Sequence, residues 1–233
     1  MIMDKAVILL SGGLDSSTLL HYVRKTLGCG HIYAITFYYG QKHSREIRCA
    51  SWQARALAVK EHKLLDMTAL GTLTAGASAL TDAGIPVPDS NTLHAGQRDQ
   101  PSTYVPNRNM ILLALASAYA EAQGIPHVFY GAQTQDCYGY WDCTPEFQDR
   151  MNAVLALNRR QAIGIKAPFA RMSKREIIAI GHDLGLDYAH TWTCYRGEQK
   201  ACGTCPACKD RLSAFHRLGL RDPLDYATLP SSA

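Results

Sequence analysis

The chain has 233 residues, 47% of them hydrophobic and 19% charged, with a formal net charge of +4. That length suits one compact domain with at most a small appendage, large enough to bury a core without disulfides. The apolar run from Ala6 to Leu10 is too short for a secretory segment, and no stretch approaches the roughly 18–20 apolar residues of a membrane span. Lys and Arg are scattered, not gathered into the basic stripe of a nucleic-acid reader. A cytoplasmic chain with neither membrane nor nucleic acid as partner is expected.

Ala6–Leu10 is continuously apolar, as a buried parallel strand requires. Leu14, Leu19, Leu20 and Val23 are spaced for a helix from Asp15 to about Lys25, ended by Leu27-Gly28-Cys29-Gly30. His31–Tyr39, rich in Ile, Tyr, Phe and Thr, predicts a second strand. Ser44–Val59 predicts a helix with Ser44 as candidate N-cap, and His62–Asp66 a third strand. Met67–Val105 breaks the rhythm with Gly71, Gly76, Gly84, Pro86, Pro88, Gly96 and Pro101. It reads as a flap beside the site or as a plain surface insertion. Asn107–Gln123, after Pro106, predicts a helix, and His127–Gly131 a fourth strand. Pro145–Leu157 predicts a helix capped by Thr144 with proline at its first position. Ile163–Pro168 follows as a fifth strand. Ser173–Leu184 is a helix opening on the capping box Ser173-Lys174-Arg175-Glu176, and a short helix near Lys209–Leu218 comes last. Alternating β and α elements predict an α/β fold, a Rossmann-like doubly wound parallel sheet covered on both faces. It occupies residues 1–190, with a small cysteine-bearing segment, 191–233, packed on the same domain.

Ser11-Gly12-Gly13-Leu14-Asp15-Ser16-Ser17 joins the first strand to the first helix. Glycines let backbone N–H groups curl around an anion, and the helix adds its positive end. Serine hydroxyls add further donors. In open parallel sheets such a loop lies where ligands bind. The plain alternative is an ordinary strand–turn–helix corner. No Gly-Lys-Ser/Thr follows, so this is not a Walker A loop. It is instead similar to the Ser-Gly-Gly-x-Asp-Ser loop of ATP pyrophosphatases.

Eight cysteines are present, and Cys194-x7-Cys202-x2-Cys205-x2-Cys208 concentrates four in a short stretch. In a reducing compartment that clustering points to a metal. Four thiolates suit a closed, structural zinc site. An iron–sulfur cluster, which also uses Cys-x2-Cys-x2-Cys, and disulfides are the alternatives. Cys29, Cys49, Cys137 and Cys143 read as core residues.

The Ser11–Ser16 loop, Tyr39-Gly40-Gln41-Lys42-His43, Val105-Pro106-Asn107-Arg108-Asn109, Gly139-Tyr140-Trp141-Asp142-Cys143 and the four-cysteine ending together resemble the 7-cyano-7-deazaguanine synthase family. The resemblance spans roughly residues 6–210. Leu14 stands where Gln is frequent in that family, and Asn107 where Gly is frequent. The resemblance implies the adenine-nucleotide α-hydrolase fold, a homodimer, ATP with Mg²⁺, and one structural Zn²⁺ per chain. It also implies that 7-carboxy-7-deazaguanine and ammonia become the nitrile through adenylated intermediates. Without a glutaminase motif, free ammonia is the simpler nitrogen donor. Leu10, Ser11, Gly12, Gly13, Leu14, Asp15, Ser16, Ser17, Thr18, Leu19 and Leu20 are then the nucleotide-binding stretch. Asp15, Ser16, Arg108, Asp136 and Asp142 are the candidate catalytic residues. Asp15 places Mg²⁺ or caps the loop. Arg108 meets phosphate or the substrate carboxylate, or is a surface arginine. Asp136 and Asp142 read the guanine-like N–H edge, bind Mg²⁺, or merely make turns. Lys42 and His43 line the nucleotide pocket or a solvated loop. Tyr104, Tyr138 and Tyr140 stack on a purine-like ring or simply pack. Two other readings share the loop: a tRNA-modifying ATP pyrophosphatase of thiolation or lysidine type, for which no basic extension is evident, and a non-catalytic nucleotide-binding module.

Overall fold

Successive strand residues face opposite sides of a sheet, and here both sides are apolar. In the computed structural model, which describes residues 3–40, 44–89, 100–134, 136, 139–196 and 199–229, β1 (Lys5–Leu9) sends Ala6 and Ile8 into one core and Val7 into another. β2 (His31–Tyr38) divides Ile32 and Ala34 from Ile35 and Phe37 in the same way. β3 (Glu61–Asp66), β4 (His127–Phe129) and β5 (Gly164–Lys166) complete a five-stranded sheet in the order β3-β2-β1-β4-β5. Every pairing is parallel, and Val7 sits between Tyr33 and Val128 at the sheet centre.

The helices are α1 (Leu14–Lys25), α2 (Ser44–Ala56), α3 (Thr68–Leu73), α4 (Arg108–Ala122), α5 (Pro145–Leu155), α6 (Lys174–Asp183) and α7 (Pro206–Arg217). α1, α2, α6 and α7 supply the core on one face, around Leu19, Ala50, Ile177 and Phe215. α4 and α5 supply the other, around Leu113, Ala116 and Phe147. The doubly wound architecture is therefore present, and its strand order reverses between β1 and β4, where such sheets place their ligands.

Differences from the sequence expectation have local causes. α2 ends at Ala56 rather than Val59, because Ala58 turns into the left-handed region at φ 45°. α4 starts at Arg108 because Asn107 is itself left-handed, at φ 55°. Asparagine tolerates that conformation through its short polar side chain. α7 starts three residues before Lys209, with Pro206 in the first turn where its missing N–H costs nothing. The segment after β3 contains the short helix α3, which the glycine-rich sequence obscured. The Ser173–Glu176 capping box and the Thr144 cap both form.

Arg211 of α7 ties the C-terminal segment to the domain. It is fully buried, and its guanidinium donates to both carboxylate oxygens of Asp222, at 2.6 and 2.9 Å. It also donates to Thr191 Oγ1 at 2.7 Å and to the Tyr188 carbonyl at 3.1 Å. Removing one partner of such a pair leaves an uncompensated buried charge. Arg211→Ala is expected to cost about 3–5 kcal/mol in urea unfolding; a loss below about 1 kcal/mol would show that Asp222 finds other partners or water.

Candidate functional site

The loop after β1 is built by its own serines. Ser11 Oγ lies 2.9 Å from Ser16 Oγ and accepts from Gly13 N–H at 3.2 Å. Ser16 Oγ also accepts from Ser11 N–H at 3.2 Å. Gly13 precedes α1 without a side-chain cap, so the first N–H groups of the helix stay open to a ligand. Gly12 adopts φ +82°, and a Cβ there would lie 2.1 Å from the Glu46 carbonyl of α2. Its glycine is therefore required by close helix approach as well as by the turn.

A cleft of about 1170 Å³ opens beside this loop at the carboxyl ends of the strands. One end is electrostatic. Lys174, at the first turn of α6, is buried and donates to Asp15 Oδ2 at 2.5 Å, with Asp210 Oδ2 3.9 Å away. Burial opposes its charge, but Asp15, Asp136 and Asp210 outweigh burial and hold its pKa above the ordinary lysine value. Burial pushes the Asp136 carboxyl up to about 6 against the pull of Lys174. Carboxylates thus outnumber the ammonium here, and Asp15 Oδ1 is buried without a hydrogen-bond partner among the described residues. Such an arrangement fits a cation brought in with an anionic ligand.

The region around Arg108 is aromatic: Tyr39, Tyr140 and Tyr195 interact with it there, as does Glu46, and all of them line the cleft. Arg108 donates to the Tyr39 hydroxyl at 3.2 Å. Tyr140 shares a 2.6 Å hydrogen bond with Thr103. Burial pushes the Glu46 carboxyl up to about 7, and Arg108 opposes that shift.

The cysteine segment forms one wall of the same cleft. Sγ atoms of Cys194, Cys202, Cys205 and Cys208 all lie within 4.8 Å of one another, and none is in a disulfide. Cys202 and Cys208 are 3.9 Å apart; two thiolates on one tetrahedral ion with bonds of about 2.3 Å stand about 3.8 Å apart. Cys194 Sγ accepts from the N–H groups of Arg196 and Cys202, at 3.4 and 3.3 Å, and Cys202 Sγ from that of Cys205 at 3.3 Å. Such donors favour thiolates, so the residues fit a metal ion. Trp192, Thr193 and Tyr195 carry the segment from the cysteines into the cleft.

The predicted residues separate into groups. Leu10, Ser11, Gly13, Asp15, Ser16, Arg108, Asp136 and Tyr140 line the cleft. Leu14, Leu19 and Leu20 belong instead to the core, because α1 turns that face toward the sheet. Ser17 and Thr18 are fully buried, and Thr18 Oγ1 donates to the Leu14 carbonyl at 2.9 Å. Asp142 is buried against α4 and accepts from Asn109 N–H at 3.0 Å. That bond crosses from the start of α4 and is not a local turn, and Arg108 interacts with the carboxylate electrostatically. Tyr104 accepts from Trp141 Nε1 at 2.7 Å. Cys29 and Cys49 are core residues, while Cys143 is buried and also meets the cleft. Gln41, Lys42, His43, Cys137, Tyr138 and the Ser44 side chain lie outside the described residues. Sequence reasoning missed Lys174, hidden inside a capping box, and Glu46, hidden inside an amphipathic helix.

Comparison with known proteins adds a family. The model of the family described as "Queuosine biosynthesis protein QueC" matches residues 5–219. The chain is 45% identical over 224 residues to the 7-cyano-7-deazaguanine synthase of Marinomonas sp., covering 96% of this chain and 98% of that one. It is 43% identical over 223 residues to 7-cyano-7-deazaguanine synthase 1 of Colwellia psychrerythraea, covering 96% and 99%. Among solved structures, NMN synthetase from Francisella tularensis shares the fold, with a TM-score of 0.53 at 15% identity over 94% of this chain and 79% of that one.

The raised carboxyl of Asp136 has a measurable signature. Its folded pKa lies above its ordinary value, so the folded state binds the extra proton. The stability it contributes is fully present below about pH 4 and is lost as pH rises through about 6. Asp136→Asn is therefore expected to be more stable than the parent above pH 6, by about 1–2 kcal/mol, with the gap closing below pH 4. Urea titrations at pH 4 and 7.5 check this, and a gap independent of pH would refute it.

Proposed function

This chain belongs to the QueC family of queuosine biosynthesis proteins, a family of enzymes, and from that membership we propose that it converts 7-carboxy-7-deazaguanine and ammonia into 7-cyano-7-deazaguanine at the expense of ATP. One observation supports this most directly: a phosphate-type loop and an aromatic-lined end share one cleft of about 1170 Å³. A single small-ligand pocket is ordinarily about 300–1,000 Å³, so this one has room for a nucleotide beside a second ring.

The substrate carboxylate attacks the α-phosphate of ATP, forming an acyl-adenylate and releasing pyrophosphate. Ammonia then displaces AMP and leaves the amide. A second ATP adenylates the amide oxygen, releasing a second pyrophosphate, and departure of that oxygen with AMP, together with loss of both nitrogen-bound protons, leaves the nitrile. The open N–H groups around Ser11–Ser16 receive charge developing on the leaving pyrophosphate. Lys174 supplies a buried positive charge beside it. Mg²⁺ entering with ATP would be held by the carboxylates near Asp15 and would neutralise the pyrophosphate oxygens. Arg108 holds the substrate carboxylate at the junction of the two ends, its guanidinium steadied by Tyr39.

At the cysteine centre we assign zinc. Sulfur atoms within 4.8 Å of one another suit a shared single ion; a cluster of several irons and sulfides would hold its thiolates farther apart. Reduced cysteines accord with a cytoplasmic enzyme, and a homodimer is the assembly assigned to it.

Purified protein with ATP, Mg²⁺, ammonium and 7-carboxy-7-deazaguanine should form the nitrile by mass spectrometry, with AMP and pyrophosphate as nucleotide products. No nitrile would refute the function, and ADP with phosphate would refute the route. Lys174→Met should lower kcat/KM by about 100-fold or more while the far-ultraviolet spectrum is retained. Cys205→Ser should lose zinc by elemental analysis and melt earlier in the same preparation; unchanged zinc would remove Cys205 from the ligand set.

A further inference from the structure

Among the described residues four acidic side chains line the cleft: Asp15, Glu46, Asp136 and Asp210. Three of them interact with Lys174, and Asp136 also acts on Tyr140 and Tyr195. Asp15 is bonded to Lys174, Asp210 lies 3.9 Å from the same ammonium, and Asp136 accepts from Gln133 Nε2 at 3.2 Å while interacting with both Lys174 and Asp15. Glu46 stands apart. It opens α2, and its backbone abuts Gly12, where a Cβ would meet the Glu46 carbonyl at 2.1 Å. Its side chain interacts with Arg108, the residue around which Tyr39, Tyr140 and Tyr195 also gather. Arg108 and Cys194 are the charges it senses, and its carboxylate makes no side-chain hydrogen bond among the described residues.

Glu46 is half-buried in the cleft wall, and partial removal from water without donors disfavours a carboxylate, which pushes it up to about 7. Two parallel N–H donors from a ligand would satisfy it in the charged form. The two ring systems of the reaction differ here. Adenine presents one N–H donor beside a ring-nitrogen acceptor, which repels a carboxylate. A deazaguanine presents two adjacent donors, N1–H and the 2-amino group. Resting on the deazapurine reading above, we propose that Glu46 is the specificity-determining residue that accepts the N1–H and 2-amino hydrogen bonds of the substrate ring. Of the carboxylates first considered for that edge, Asp136 interacts with Lys174, which Glu46 does not, and Asp142 bonds the start of α4.

The test compares 7-carboxy-7-deazaguanine with its analogue lacking the 2-amino group, in the parent enzyme and in Glu46→Gln, following nitrile formation. The parent should show a KM at least about 10-fold lower for the amino-bearing acid, since a charge-assisted bond is lost in the analogue. Glu46→Gln should raise KM for the amino-bearing acid by about 10–100-fold, bring the two acids close to parity, and leave KM for ATP within about 3-fold, well under one such bond. Equal rises for both acids, a rise confined to ATP, or a fall in kcat with KM unchanged would each overturn the assignment. Should Glu46→Gln not fold, the parent alone decides, because equal KM values for the two acids sink it. A parent enzyme that makes nitrile from neither acid overturns the function itself, which keeps the two failures distinct.

Discussion

No side chain fits at residue 12. A Cβ there would meet the Glu46 carbonyl at 2.1 Å and the Ala50 amide at 2.6 Å. The Gly12 carbonyl meanwhile accepts from Trp192 N–H at 2.9 Å. From the opposite side, a Cβ on Gly131 would come within 3.2 Å of the Ser16 nitrogen. The loop is thus gripped by α2, by the chain entering the cysteine segment, and by the end of β4. Packing this close leaves no slack, so the serines, Glu46 and Trp192 keep fixed relative positions. Groups held in place beforehand are what stabilise charge cheaply during a reaction.

The same grip explains why one cleft has two characters. α1 and α6 meet at the loop and bring Asp15 to Lys174, which concentrates charge where phosphates belong. α2 and the C-terminal chain bring the Glu46 side chain and Tyr195 to Arg108. Titratable groups drawn out of water work against folding, and they gather at functional sites because the chemistry there needs their shifted pKa values. Arg211 and the cysteine centre offset part of the cost by fastening the wall that carries Trp192, Thr193 and Tyr195.

Strong periodicity made most of the fold legible. β1 and β2 are apolar on both faces, and the caps at Thr144 and Ser173 are local chemistry that needs no tertiary context. The loop and the four cysteines were legible because their residue types are contiguous. Lys174 was not, since it lies 159 residues from Asp15 and nothing local announces the pair. Glu46 escaped notice for a related reason: a glutamate in the first turn of a helix is ordinary until packing sets it in the wall of a cleft. Asp142 shows the same. Its sequence neighbourhood left ligand contact and turn chemistry both open, and neither announces the bond it makes to Asn109, 33 residues away. Leu14, where another residue is frequent among similar loops, is fully buried in the core beneath the loop.

Between α3 and α4 the chain is fastened at two stations. Arg196 reaches across to the Val87 carbonyl and the Asp89 carboxylate, while also holding Thr204 in the cysteine segment. Farther on, Ala79 N–H donates to the Ser102 carbonyl at 2.7 Å, and Thr103 meets Tyr140. Because one guanidinium holds both Thr204 and the chain at Val87 and Asp89, a change that unravels the cysteine segment would also release the chain between α3 and α4 from the cleft wall.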